Sequence, residues 1–92
     1  MVVITDIKPY AGYERQVAEA LFKAVTFVRL EAGCQRCELH EAREGGASLV
    51  LVERWSCSSA WLAHQLSAAS QALSADIVGI ADLTVRQLKR LA

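Results

Sequence analysis

Ninety-two residues make one domain and leave no room for a second core. Ten Lys and Arg residues cancel ten Asp and Glu residues, and no basic run exceeds Lys89-Arg90, so the chain lacks the positive face of a nucleic-acid binder. The hydrophobic fraction of 53% is more than one small core hides, yet no apolar run approaches the roughly 20 residues of a spanning helix, so a partner chain rather than a membrane is expected to take the surplus. Met1-Val2-Val3-Ile4-Thr5-Asp6 carries no charged leader region or signal-type apolar stretch, and the expected location is cytoplasmic.

Val2 to Ile7 is short, apolar and β-branched, which predicts a strand. Pro9 to Gly12 breaks it. Glu14 opens a helix that runs to about Glu31, with Val17, Ala20, Leu21, Ala24, Val25 and Val28 in one apolar stripe. Phe22, Phe27 and Leu30 broaden that stripe. Gly33 suits a left-handed cap. Cys34 to Ala42 reads as a second strand and Glu44-Gly45-Gly46 as a hairpin turn. Ser48 to Trp55 is a third strand whose apolar residues Leu49, Val50, Leu51 and Val52 are continuous, the pattern of a sheet covered on both faces. Ser56 and Ser58 are both suited to cap the next helix, Ser59 to Ile77, which has a break near Ser67. Gly79 marks a turn, and Leu83 to Leu91 closes the chain as a fourth strand with Leu83, Val85 and Leu88 expected to be buried.

The predicted order is β-α-β-β-α-β, the ferredoxin-like α+β arrangement with a four-stranded antiparallel sheet over residues 1–92. Helices cover one face. The other face is expected to pack on a second copy of the chain, giving a homodimer through the open face of the sheet. The ligand space then lies between sheet and helices. Three cysteines without a signal sequence argue against a disulfide scaffold. As residues three apart in a strand, Cys34 and Cys37 are expected about 10 Å apart on opposite faces, too far for a disulfide, and no second CxxC or His pair completes a zinc site.

Two sets of residues carry a family resemblance. One is Gly12-Tyr13-Glu14 before the long helix, then Glu31-Ala32-Gly33-Cys34 leading into Cys37-Glu38-Leu39-His40. The other is Val52-Glu53-Arg54-Trp55, followed by Ala60 and His64. In this order they resemble the antibiotic-biosynthesis-monooxygenase, or quinol-monooxygenase-like, family. The resemblance implies a dimeric α+β barrel whose members include cofactor-free oxygenases of electron-rich aromatics such as hydroquinones and anthrones. The chain departs from the family pattern at Cys37, where Tyr is common, at Ala69 and Ser70, where a His and an aromatic are common, and at Ala11 in place of Pro.

The resemblance implies that Trp55 and His64 are catalytic. Trp55 would be an indole wall and donor, and His64 a base or donor whose ordinary titration range suits a phenol proton. Substrate contacts are expected from Trp61, Phe22, Glu53 and Leu51. Each has a structural alternative. Trp55, Phe22, Phe27 and Trp61 serve equally as core, His64 as an exposed helix residue, and Glu53 in a buried ion pair. Glu38 and His40 share a face of the second strand near the sheet edge. Two His in the chain make a three-ligand metal site hard to assemble, so no metal or other cofactor is expected.

The functional expectation is a cofactor-independent monooxygenase acting on a small aromatic or quinol with O₂. A non-catalytic dimeric small-molecule-binding module is the alternative, motivated by the departures at Cys37, Ala69 and Ser70. A haem-degrading relative is a third reading; those relatives use an Asn near the end of the first strand, where Thr5-Asp6-Ile7 stands here.

Overall fold

The computed structural model describes residues 1–44, 46 and 48–92. In chain order the elements are β1 (Val2–Pro9), α1 (Glu14–Val28), β2 (Cys34–Glu41), β3 (Leu49–Trp55), α2 (Ser58–Gln65), α3 (Ala68–Ile77) and β4 (Ala81–Leu88). The strands form one antiparallel sheet in the order β2-β3-β1-β4, the ferredoxin-like split βαβ plan. The expected hairpin turn includes Gly45, which lies outside the described residues.

The long apolar runs occupy the two central strands, whose helix-facing side is covered. Along β1, Val3 and Ile7 point to the helix side and are buried. Along β3, Leu51, Glu53 and Trp55 do the same. Helix α1 lays Val17, Leu21, Ala24, Val25 and Val28 on this face, as its periodicity predicts. Burial of each large aliphatic side chain contributes about 1.5–3 kcal/mol. Phe22 and Phe27 fall on the outward face of α1 and are 67% and 54% exposed, so they are not core. The helix ends at Val28 rather than Glu31, because the N–H groups of Leu30 and Glu31 turn back to the carbonyls of Phe27 and Val28 in tighter i→i+3 bonds.

The break between α2 and α3 falls where expected. Ser67 is the N-cap of α3, and its hydroxyl accepts from the Ser70 N–H at 3.2 Å. Helix α2 differs from expectation: its N-cap is Cys57, without a side-chain capping bond, and neither Ser56 nor Ser58 fills that role.

Two further features depart from the sequence reading. Cys34 pairs with Trp55 and Cys37 with Glu53, across an irregularity between Cys34 and Arg36. The extra residue returns both thiols to the helix side, where an unbroken strand would have opposed them. β4 is an edge strand, and Leu83, Val85 and Leu88 are 48%, 54% and 42% exposed rather than buried. The sheet's open face carries Val2, Ile4, Val50 and Val52 at its centre, all half-buried. Polar pairs border this strip: His40 with Glu38 at 2.9 Å on β2, and Arg86 of β4 with Asp6 at 3.4 Å.

Gly33 governs how closely the α1–β2 turn approaches α2. Its φ is +83°, and an added Cβ would stand 2.5 Å from the Ala60 Cβ and 2.8 Å from the Ser56 Oγ. Its carbonyl accepts from the Ser56 N–H at 2.9 Å. Gly79 has a similar φ of +78° but open space around it. Gly33→Ala is therefore expected to lose about 2–5 kcal/mol, combining left-handed strain with overpacking, and Gly79→Ala only about 1–2 kcal/mol. Urea denaturation of the two variants measures the gap, and equal losses would contradict a tight contact at Gly33.

Candidate active site

The alternation of β3 places a carboxyl where a hydrophobic residue would be ordinary. Glu53 is 3% exposed, among the core side chains. A buried carboxyl is costly unless hydrogen-bonded or paired. Its Oε1 accepts from the Trp55 Nε1–H at 3.0 Å. The same oxygen lies 3.5 Å from His64 Nε2. Burial pushes the Glu53 pKa up; the Trp55 hydrogen bond and the nearby His64 pull it back, and Glu31 adds to the rise.

His64 arrives from α2, three residues after Trp61 and on the same face. Its ring stacks on the Trp55 indole, with centroids 4.7 Å apart and planes at 28°. Its Nδ1 lies 2.8 Å from Oε1 of Glu31, in the turn that Gly33 holds against α2. The other Glu31 oxygen accepts from the Ser67 hydroxyl at 3.1 Å. His64 thus stands between two carboxyls, one buried beneath it and one at the outer edge.

A cavity of about 150 Å³ opens beside this group, between the sheet and the helices. Its floor is Val3, Thr5 and Ile7 of β1 with Leu51 and Glu53 of β3. Leu83 and Val85 of β4 form the rim, which accounts for their exposure. Leu21, Trp61, His64, Leu73 and Ile77 face the floor, and Ser70 and Ser74 add hydroxyls. A cavity of this size suits one benzene-sized ring. The walls are largely apolar, with the Glu53–His64 corner, the Gln65 amide and scattered hydroxyls as the polar groups, so a bound aromatic would be oriented chiefly by that ionisable corner.

The structure brings His64, Trp61, Glu53 and Leu51 together around the cavity. Trp55 is adjacent but behind them: it is fully buried, and its N–H is committed to Glu53 rather than open to a ligand. Phe22 stands apart, on the outward face of α1. His40 is on the open face of the sheet with Glu38. The sequence names Glu31 only within the motif Glu31-Ala32-Gly33-Cys34, Ser67 only as a helix break and Thr5 only as a strand residue, and assigns none of them to the site. The contact at Gly33 reveals what Glu31 touches. Ser70, noted at first only as a missing aromatic, lines the cavity.

The cysteines serve no visible role in this group. Burial pushes Cys37 up to about 12 and raises Cys34, so both are poor thiolates. Cys57 is exposed, and hydrogen bonds led by the Ser59 hydroxyl lower it to about 7. Among the described residues no group of three or more His, Cys, Asp or Glu side chains could hold a metal ion. No described helix is long and apolar enough to cross a membrane.

The raised Glu53 pKa has a signed consequence for stability. The folded state favours the protonated carboxyl, so its contribution is full below the unfolded pKa and is lost as pH rises through the folded value. Glu53→Gln is therefore expected to gain on the wild type as pH climbs above about 4.5 toward neutrality, measured by urea unfolding across that range. A stability difference independent of pH would contradict the burial-driven shift.

Comparison with known proteins fits this geometry. No curated protein matches the chain. Among solved structures, PA3566 from Pseudomonas aeruginosa is 26% identical, with a TM-score of 0.92 over 99% of this chain and 93% of that one. Rv0793 from Mycobacterium tuberculosis is also 26% identical, with a TM-score of 0.85 over 99% and 96%. An antibiotic biosynthesis monooxygenase at 18% identity and a TM-score of 0.88, covering all of both chains, shares the fold. The family model for antibiotic biosynthesis monooxygenases matches residues 1–76, which include β1 through α2 and the whole Glu31–His64–Glu53 group, and the chain belongs to that family.

Proposed function

We propose that this protein is a cofactor-independent monooxygenase of a small electron-rich aromatic or quinol, working as a homodimer. The observation that carries the reading is a proton-handling group, Glu31–His64–Glu53, set into one corner of an otherwise apolar cavity of about 150 Å³. Membership of a monooxygenase family supports the reaction class.

The chemistry asks little of the protein beyond these parts. A hydroquinone bound with one hydroxyl toward His64 and Glu53 loses a proton to that pair. The anion passes one electron to O₂, and the semiquinone and superoxide combine at a ring carbon to a hydroperoxide. Loss of water leaves a hydroxyquinone, so one quinol and one O₂ give one hydroxyquinone and one water. The protein orients the ring and excludes water, both of which lower the barrier.

Oxygen-electrode measurements with a panel of hydroquinones and anthrones test the reading. The expected result is one O₂ consumed per molecule oxidised, single-ring substrates preferred over fused ones, and a fall of about 10²–10⁴-fold in kcat/KM for His64→Ala. No uptake with any member of the panel would sink it. One observation favours binding without turnover: the Trp55 N–H is held by Glu53 and is not free to stabilise a developing anion. That alternative predicts quenching of tryptophan fluorescence by the same compounds without O₂ consumption.

The open face of the sheet supports the homodimer. Val2, Ile4, Val50 and Val52 form an apolar strip that a two-fold axis would cover with its own copy, and the 53% hydrophobic composition calls for such a surface. Sedimentation equilibrium is expected to give twice the 10.0 kDa chain mass. Val52→Asp should shift the protein toward the monomer, and a wild type that sediments as a single chain would overturn the assembly.

A further inference from the structure

We propose that Glu31 is the positioning residue of this site, fixing the ring hydrogen of His64 on Nδ1 so that Nε2 faces Glu53 and the cavity. The inference rests on the reading of His64 as the proton-handling residue, and it adds a part that neither the family match nor the sequence pattern assigns.

The argument is an account of donors and acceptors. The Ser67 hydroxyl has one hydrogen. Its lone pair is engaged by the Ser70 N–H at 3.2 Å as the cap of α3, and its hydrogen goes to Glu31 Oε2 at 3.1 Å. Glu31 Oε1 faces His64 Nδ1 at 2.8 Å. A carboxylate only accepts, so the hydrogen between them sits on Nδ1. Nε2 is then left toward Glu53 Oε1 at 3.5 Å, and that oxygen already accepts from Trp55. At that distance the two groups are not tightly bonded to one another, so a ligand hydroxyl approaching from the cavity can meet either of them.

The geometry also fixes the ring plane. Stacking on Trp55 at 4.7 Å holds the face of the imidazole, and Glu31 holds its edge, so rotation is blocked in both senses. Ser67 ties this arrangement to the α2–α3 break, and Gly33 brings the Glu31 turn within reach of α2. The titratable groups that meet the ring are Glu31 from the α1–β2 turn and Glu53 from β3.

Long-range ¹⁵N–¹H correlation of the histidine rings reads the tautomer directly. His40, which meets Glu38 on the opposite face of the sheet, is the internal control. In the wild type, at a pH where His64 is neutral, its Nδ1 is expected to carry the hydrogen. In Glu31→Gln, whose amide can donate as well as accept, His64 should show a mixture of tautomers while His40 is unchanged. If Glu31→Gln does not fold, Ser67→Asp serves instead. It retains a capping oxygen for α3 but repels Glu31, and the same tautomer mixture is expected. A wild-type His64 with its hydrogen on Nε2, or a variant ring still fully in the Nδ1–H form, overturns the proposal. With a substrate that the wild type oxidises, Glu31→Gln should lower kcat about 10²-fold or more and leave KM within about twofold. A wild type that oxidises nothing counts against the monooxygenase reading alone, since the ring signals decide the role of Glu31 without turnover.

Discussion

A carboxyl buried at the centre of a small core sets the terms for everything around it. Glu53 is as enclosed as the aliphatic residues beside it, and burial without partners would cost several kcal/mol. Its compensation comes from two aromatic rings on different elements: the Trp55 N–H on its own strand and His64 on α2. Meeting that requirement seats α2 over the end of β3 and stacks the imidazole on the indole. His64 then needs a partner for its second nitrogen, which brings in Glu31. The Glu31 turn comes close enough only because position 33 has no side chain. One buried acid thus accounts for a helix position, a ring orientation and a glycine.

Much of this frame was legible in the residues themselves. Continuous Leu49–Val52 marked a central strand, the stripe from Val17 to Val28 marked the buried face of α1, and Ser67 marked the helix break. These signals are local periodicities or caps, which sequence states directly. The misreadings share a different cause. Phe22 and Phe27 are bulky and apolar, but their helical phase turns them outward, and residue type outweighed phase in the reading. The two thiols of β2 were assigned to opposite faces because a bulge leaves no trace in the spacing of cysteines. β4 was read as buried from its leucines and valine, whereas its place at the sheet edge depends on the order of strands. Around the cavity, Glu53 and His64 stand in the family pattern, and Leu51 and Trp61 share a strand face and a helix face with them. The contacts that join Glu31 to His64 and to Ser67 are not legible in the sequence, because they link segments more than 30 residues apart.

The departures from the family pattern acquire a physical meaning in the cavity. Ser70, where the resemblance leads one to expect an aromatic, puts a hydroxyl on the wall, and Ala69 packs at the edge of the core. Cys37, in place of a tyrosine, is buried beneath the helices on the same cross-strand rung as Glu53. It offers no acid–base chemistry there, because burial drives its thiol out of the useful range. The ionisable groups of the cavity are therefore concentrated at the Glu53–His64 corner, while Thr5, Gln65, Ser70 and Ser74 add only neutral polar groups along its walls. A ligand has one place to deliver a proton and an apolar wall against which to lie.

That concentration suits a reaction that leaves the electron chemistry to substrate and O₂. Direct transfer of an electron to O₂ is far easier from a phenolate than from a phenol, so the decisive service is removal of a proton in a dry place. The side chains around His64 are graded for it: Glu53 is 4% exposed, His64 11% and Glu31 20%. In the proposed reaction a proton accepted at the buried end meets progressively better solvated groups as it moves outward. Charge is thus created where water is scarce and dissipated where water is near. The imidazole between the carboxyls makes that gradient continuous, which a lone buried acid or a lone surface histidine would not do.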